Sequence, residues 1–186
     1  KCQLVTVALE EIGMLDTYKQ VVVNQYEAVL AGLNFCIDRC PDALWNDLVG
    51  SQPFCQIVFH ALFYGDVYLG YGLDGLRDQP FHRENAASFR DYEELEDREP
   101  ALLYERSFIK RYVEHCRAKA VTTLAAETAA VLSGPSGFER RTFTRAELHI
   151  YNIRHLQDHV AQLNAHLEAR TGTAIPWFGS GWREVV

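Results

Sequence analysis

The segment from about Pro53 to Leu73 constrains the fold most, because it is apolar on nearly every side over the length of a helix. Its large apolar residues are Phe54, Ile57, Val58, Phe59, Leu62, Phe63, Val67, Tyr68 and Leu69. A helix that is hydrophobic all round must be buried among other elements. Ser51 could cap this helix, and proline is favoured in a first turn. The segment therefore predicts a helix in the middle of a helical bundle.

Three further segments carry apolar residues at helical spacing. They run from about Val5 to Asn34, from Pro100 to about Leu132, and from Thr144 to about Arg170. In the last of them, Thr144 and Glu147 have the spacing of a capping box. Strand-like alternation is not convincing anywhere. The sequence therefore predicts an all-α, four-helix bundle in an up-down-down-up arrangement.

The connecting segments are uneven in length and composition. The 186 residues are expected to form one domain, residues 1–186. Residues 42–51 are interpreted as a connector, and residues 75–99 as a long acidic loop with room for one short helix. Loops of this length often cover a binding site. The aromatic, glycine-rich tail at 175–182 is expected to pack over one end of the bundle.

Composition excludes several classes of protein. The net charge of −7, without a lysine- or arginine-rich block, argues against nucleic acid or an anionic membrane as the main partner. No apolar run approaches the roughly 20 residues of a membrane span, and the first residues lack a signal-peptide layout. Five scattered cysteines fit reduced thiols in a cytoplasm. Cys36 and Cys40 are interpreted as small buried side chains, rather than as a redox or metal pair.

His155 and His159 are four residues apart in the last helix. Side chains at this spacing share one helix face, with Cβ atoms about 5–6 Å apart, and two neutral imidazoles there can bind one divalent ion. On a helical wheel of about 100° per residue, the pair lies at the border of the apolar stripe. Asn152 and Gln162 flank the pair and could orient the imidazoles or a substrate. The spacing alone favours ordinary half-buried histidines slightly over a metal-binding pair.

His60 is the candidate third ligand. It lies in the centre of the apolar helix, where an unpaired polar ring is costly to bury. A metal ion shared with His155 and His159 would satisfy it, and so would a hydrogen bond to a backbone carbonyl or to Tyr26. Three neutral histidines around Zn²⁺ or Ni²⁺ leave an open position, as catalytic sites do. No carboxylate falls on this face, so the sequence assigns no catalytic residue.

The other four histidines are weaker candidates. His149 falls within the apolar stripe and is expected in the core, whereas His166 is expected at the surface or the end of the bundle. His115, beside Cys116, is interpreted as a packed structural residue. His82 lies in the long loop and has no assigned role.

Two segments resemble the DinB/YfiT-like four-helix bundles. They are Gln56-Ile57-Val58-Phe59-His60-Ala61-Leu62 and Tyr151-Asn152-Ile153-Arg154-His155-Leu156-Gln157-Asp158-His159-Val160-Ala161-Gln162-Leu163-Asn164. The resemblance implies a divalent metal held by His60, His155 and His159. Related proteins include S-transferases and isomerases that use bacillithiol, mycothiol or glutathione-like thiols. Many are dimers, and some are induced by stress.

A metal-dependent enzyme follows as the expectation. It would be a cytoplasmic homodimer and a thiol S-transferase or hydrolase, acting on a small electrophile with Zn²⁺ or Ni²⁺ and, as an S-transferase, with a low-molecular-weight thiol. The acidic loop and the aromatic tail have no counterpart in the resemblance, so the substrate is not implied. Two alternatives stay open: a non-catalytic metal-binding protein, and a stress-induced interaction protein with the same bundle.

Overall fold

The computed structural model describes residues 2–98 and 100–183, with the side chains from residue 13 onward except that of residue 91. The prediction of a mainly helical chain is confirmed, since helix accounts for 69% of it. The α-helices of the described residues are α1 (Cys2–Arg39), α2 (Phe54–Leu69), α3 (Pro80–Glu84), α4 (Ala86–Phe89), α5 (Arg106–Ala126), α6 (Ala129–Ser133) and α7 (Arg145–Thr171). Short 3-10 helices lie at Asp42–Leu44, Leu76–Asp78 and Arg90–Leu95.

Helix α2 is the most buried of the long helices. All of its side chains are buried except those of His60 and Tyr64. It packs against α5 and α7, and α1 packs against the same two helices. Each fully buried large apolar side chain contributes about 1.5–3 kcal/mol, so this helix supplies much of the driving force for folding. The two side chains that remain partly exposed are one turn apart, and both face the candidate site.

Helix α7 begins where its capping residue predicts. The Thr144 side chain accepts a hydrogen bond from the Glu147 backbone nitrogen, at 3.2 Å. At the other end, Gly172 adopts a left-handed conformation with φ of 73°, which glycine tolerates without steric cost. The cap residues therefore set both ends of the helix that carries two of the candidate ligands.

The other boundaries differ from those predicted. Helix α1 extends beyond the predicted run at both ends, from Cys2 to Arg39. The third long helix begins at Arg106 rather than Pro100, because the Glu93 carboxylate accepts hydrogen bonds from the backbone of Ala101 and Leu102 and keeps that segment out of the helix. The same predicted helix ends early, at Ala126, and the side chain of Thr128 caps the separate helix α6.

The connectors hold more structure than predicted. Strand β1 (Leu48–Val49) pairs with β2 (Gln52–Pro53) in an antiparallel hairpin before α2. Pro53 is consequently the residue that precedes α2, so the predicted Ser51 cap is wrong. Segment 75–99 contains α3, α4 and two 3-10 helices instead of one short helix at most.

Two further sequence predictions concern the thiols and the membrane. Cys36 and Cys40 are buried free thiols, as predicted, and burial raises the pKa of the Cys36 thiol to about 12. None of the helices in the described part of the chain has the length and apolar character that a membrane crossing requires.

Candidate metal centre

His60 of α2 meets His155 and His159 of α7 where these two helices pack. One ligand nitrogen from each ring lies within 4.8 Å of the other two. Gly65 allows the close approach of the helices, because a Cβ atom there would lie 3.2 Å from Leu156 Cδ2. The structure therefore brings together the three residues that the sequence singled out.

The second nitrogen of each ring has a different environment. His60 Nδ1 lies 2.7 Å from Glu94 Oε2, and His159 Nδ1 lies 3.2 Å from Gln162 Oε1. His155 Nδ1 is buried and has no hydrogen-bond partner among the described residues. Two of the three rings are thus oriented by a side-chain oxygen on the side away from the cluster. This is the usual arrangement behind a metal-binding histidine.

The environment keeps the α7 histidines neutral. Burial lowers the pKa of His155 to about 3, and His159 and His60 beside it lower it further. Burial also lowers the pKa of His159, again with His60 contributing. Both rings therefore carry a lone pair at neutral pH, which is the form that binds a metal.

The spacing of the donors fits a divalent ion. His155 Nε2 and His159 Nε2 are 3.1 Å apart. Two nitrogens bound to one tetrahedral ion at about 2.0–2.1 Å each are separated by roughly 3.3 Å. The three residues are only partly buried, so a ligand from solution can reach the cluster. The cluster can therefore hold a metal ion with a position left open.

An open cleft reaches the cluster from one side. It is lined by Gln52, His60, Tyr64, Glu93, Glu94, Glu96, Asp97, Arg98 and Pro100. Most of these residues belong to the acidic segment 75–99, which was expected to cover a site. Tyr64, one turn after His60, donates a hydrogen bond from Oη to the Glu94 carbonyl at 2.7 Å. Segment and helix thus meet directly beside the histidines.

The two predicted flanking residues have different outcomes. Gln162 contacts His159, as described above. Asn152 is fully buried, and its amide nitrogen donates to Tyr26 Oη at 3.1 Å and to the Gly65 carbonyl at 2.9 Å. The expected orienting role of Asn152 is therefore wrong, because its position on α7 turns it into the core. Tyr26 is also not the partner of His60, since its hydroxyl contacts His149 Nδ1 at 3.1 Å.

Glu94 is the residue that sequence reasoning missed. It lies 34 positions from His60, in a segment without a sustained hydrophobic period. The acidic character of that segment was visible in the sequence. Nothing in the pattern indicated which of its carboxylates would turn toward the histidines.

A second group of possible ligands surrounds Asp66. One ligand atom each from Asp66, His82 and His115 lies within 4.8 Å of the others, so this group too could hold a metal ion. However, Asp66 Oδ1 accepts a hydrogen bond from the Lys119 ammonium, and Oδ2 accepts one from Tyr112 at 3.1 Å and lies 2.6 Å from His82 Nε2. The Lys119 ammonium already supplies the positive charge that the carboxylate needs. The group instead ties segment 75–99 to α2 and α5, which gives His82 a structural role that the sequence did not reveal.

Asp66 is expected to make the free energy of unfolding fall as the pH becomes acidic. Burial alone would raise the pKa of its carboxyl. The opposing effect of His115, His82 and Lys119 is larger and holds the pKa well below its usual range. A group with a depressed folded pKa contributes stability above its unfolded pKa, about 3.9 for aspartate, and loses it as the pH falls below that value. The free energy of unfolding of Asp66→Asn, measured by urea titration, should therefore fall less steeply with acid than that of the unaltered chain. Asp38→Asn at the surface is the control, and an equal slope in both variants would contradict the role of Asp66.

No family model, curated protein or solved structure matches this chain. The resemblance of two segments to DinB/YfiT-like proteins accordingly stays a prediction. The interpretation of the histidine cluster depends on its own geometry.

Proposed function

We propose that this chain is a divalent-metal-dependent enzyme built on a DinB/YfiT-like four-helix bundle. The metal would be held by His60, His155 and His159, with Zn²⁺ or Ni²⁺ as the best candidates for this nitrogen donor set. The single observation that carries the proposal is the convergence of one nitrogen from each of the three rings within 4.8 Å. Two of these residues come from one helix and one from another, 95 positions earlier in the chain.

The reaction proposed is thiol S-transfer to a small electrophile, or hydrolysis of one. When bound, the ion would supply Lewis acidity and lower the pKa of a water molecule or a thiol in the open position. His155 and His159 are neutral at the operating pH and need not release a proton to act as ligands. Glu94 and Gln162 hold the outer nitrogens of two rings, so the donor atoms stay directed at one point.

The charge of the cleft favours some substrates over others. Four of its residues are acidic, and Arg98, the cation among them, is already paired with Glu93 and Glu96. A cleft with excess negative charge attracts cations and disfavours anions. Neutral or cationic electrophiles are therefore the substrate class proposed. The resemblance also supports a homodimer, which analytical ultracentrifugation would test.

Metal removal is the experiment that tests the proposed function. Protein purified without chelator is expected to carry close to one divalent ion per chain. It should catalyse the reaction of 1-chloro-2,4-dinitrobenzene with a low-molecular-weight thiol, or the hydrolysis of 4-nitrophenyl acetate. Dialysis against a chelator should abolish turnover, and one equivalent of Zn²⁺ or Ni²⁺ should restore it. Bound metal without turnover of any electrophile would favour a metal-binding protein. Failure to bind either ion would exclude both the enzyme and the metal-binding protein.

A further inference from the structure

The placement of Glu94 against His60 is an assembled feature rather than a chance surface contact. Glu94 Oε2 lies 2.7 Å from His60 Nδ1, and its side chain is only 5% exposed. A carboxylate buried to this degree is costly unless it is hydrogen-bonded. No lysine or arginine among the described side chains lies within ion-pair distance of it, so the His60 imidazole is the hydrogen-bond partner of this carboxylate.

The residues before Glu94 are each fixed to a different part of the fold. The Tyr92 hydroxyl lies 2.9 Å from His82 Nδ1, and its backbone has a φ of 55°. Such a conformation is strained for a non-glycine residue and persists only where its surroundings enforce it. Glu93 is buried and accepts hydrogen bonds from the Ala101 backbone nitrogen at 2.9 Å and from Arg90 at 3.2 Å.

The backbone of Glu94 is fixed as well. Its carbonyl accepts a hydrogen bond from the Tyr64 hydroxyl at 2.7 Å. His60 and Tyr64 are the two side chains of α2 that are not buried, and they contact the side chain and the backbone of the same residue. The short 3-10 helix Arg90–Leu95 is therefore held at three consecutive residues, and the carboxylate it presents reaches His60.

We propose that Glu94 is the positioning residue of His60. Its carboxylate accepts a hydrogen bond from Nδ1–H, which leaves the lone pair on Nε2, and it turns that nitrogen toward His155 and His159. A carboxylate behind a histidine also raises the basicity of the nitrogen that binds a metal. The effect of this role on metal affinity rests on the proposed metal function. The tautomer of His60 can be measured whether or not a metal binds.

Three variants and three measurements test the role. Glu94→Ala removes the acceptor, Glu94→Gln keeps an acceptor without the charge, and Glu96→Ala is the control from the same segment and the same cleft. Nitrogen-15 NMR of the metal-free protein reports the His60 tautomer. Competition with a chromophoric chelator reports Zn²⁺ affinity, and the visible absorption of bound Co²⁺ reports the ligand set.

The unaltered chain and Glu96→Ala should show a single His60 tautomer with the proton on Nδ1. Glu94→Ala should show a mixture of both tautomers and a Zn²⁺ affinity lower by about 10–100-fold, the usual effect of removing such a partner. Glu94→Gln should keep the tautomer and lose less affinity. The Co²⁺ spectrum should remain that of the same donor set.

Two results would overturn the role of Glu94. One is an unchanged His60 tautomer in Glu94→Ala, whatever happens to affinity. The other is a complete loss of metal binding in Glu94→Ala, as for a missing ligand, together with an altered Co²⁺ spectrum in Glu94→Gln. Glu94 would then bind the ion itself. If the unaltered chain binds neither Zn²⁺ nor Co²⁺, the proposed function fails, and the tautomer alone decides whether Glu94 positions His60.

Discussion

Replacing His60 or His159 with alanine is expected to abolish stoichiometric metal binding while the helical fold survives. Each residue supplies one of three donors, and the two that remain cannot surround an ion. The loss of affinity should exceed the roughly 100-fold that the loss of an outer-shell partner causes at most. Both side chains are partly exposed, so truncation opens no closed cavity and the helical fold should survive. His159→Ala should cost little stability, whereas His60→Ala should cost more because it leaves the buried Glu94 carboxylate without its hydrogen-bond partner. Metal content after dialysis and far-ultraviolet circular dichroism measure the two effects.

His166→Ala is the matched control for these variants. His166 lies on the same helix, two turns beyond His159, and its nearest carboxylate is Asp47 at 3.9 Å. It does not belong to the cluster of His60, His155 and His159. Its replacement should leave the metal content unchanged. If His60→Ala or His159→Ala retains as much metal as His166→Ala, the three-histidine site does not exist as proposed.

The long helices could be predicted because their apolar residues repeat at helical spacing. The all-round apolar character of α2 indicated its central position, and Thr144 marked the start of α7. The ends of α5 could not be predicted in the same way. They depend on Glu93, which holds the backbone at Ala101 and Leu102, and on contacts of Glu127 that come from distant parts of the chain.

The histidines of the site could be predicted for a similar reason. A helical spacing of four places His155 and His159 on one face, and the apolar neighbours of His60 indicated that it needs a partner. The wheel placed Asn152 only about 60° from His155, which did not reveal that it turns fully into the core. The role of Glu94 could not be predicted, because its contact with His60 joins an irregular segment to a helix. Local pattern carries no information about such a pair.

Replacing Arg145 with alanine is expected to cause a large loss of stability. The Arg145 side chain is fully buried and contacts Glu127 Oε1 at 2.7 Å. It also donates to the carbonyls that end α2, which belong to Tyr68, Leu69 and Gly70, at 2.6–3.0 Å. These carbonyls have no partner within their own helix, and a positive charge there is favoured by the helix dipole. Arg145 therefore closes α2 and neutralises a buried carboxylate at the same time.

Removing one partner of a buried ion pair costs about 3–5 kcal/mol, because the other charge is left uncompensated. Burial alone would raise the pKa of Glu127, but the opposing effect of His149 and Arg145 is larger, so the net pKa is lowered. Without Arg145, the carboxylate should retain only the His149 imidazole and the Tyr71 hydroxyl as hydrogen-bond partners.

The free energy of unfolding of Arg145→Ala, measured with urea, should be well below that of the unaltered chain. The value for Arg145→Lys should lie between them, since one ammonium cannot reach four acceptors. Arg140→Ala at the surface is the control. A loss in Arg145→Ala no larger than in Arg140→Ala would mean that the buried network contributes nothing. If Arg145→Ala does not fold, Arg145→Lys decides, because this network requires the lysine variant to be less stable than the unaltered chain.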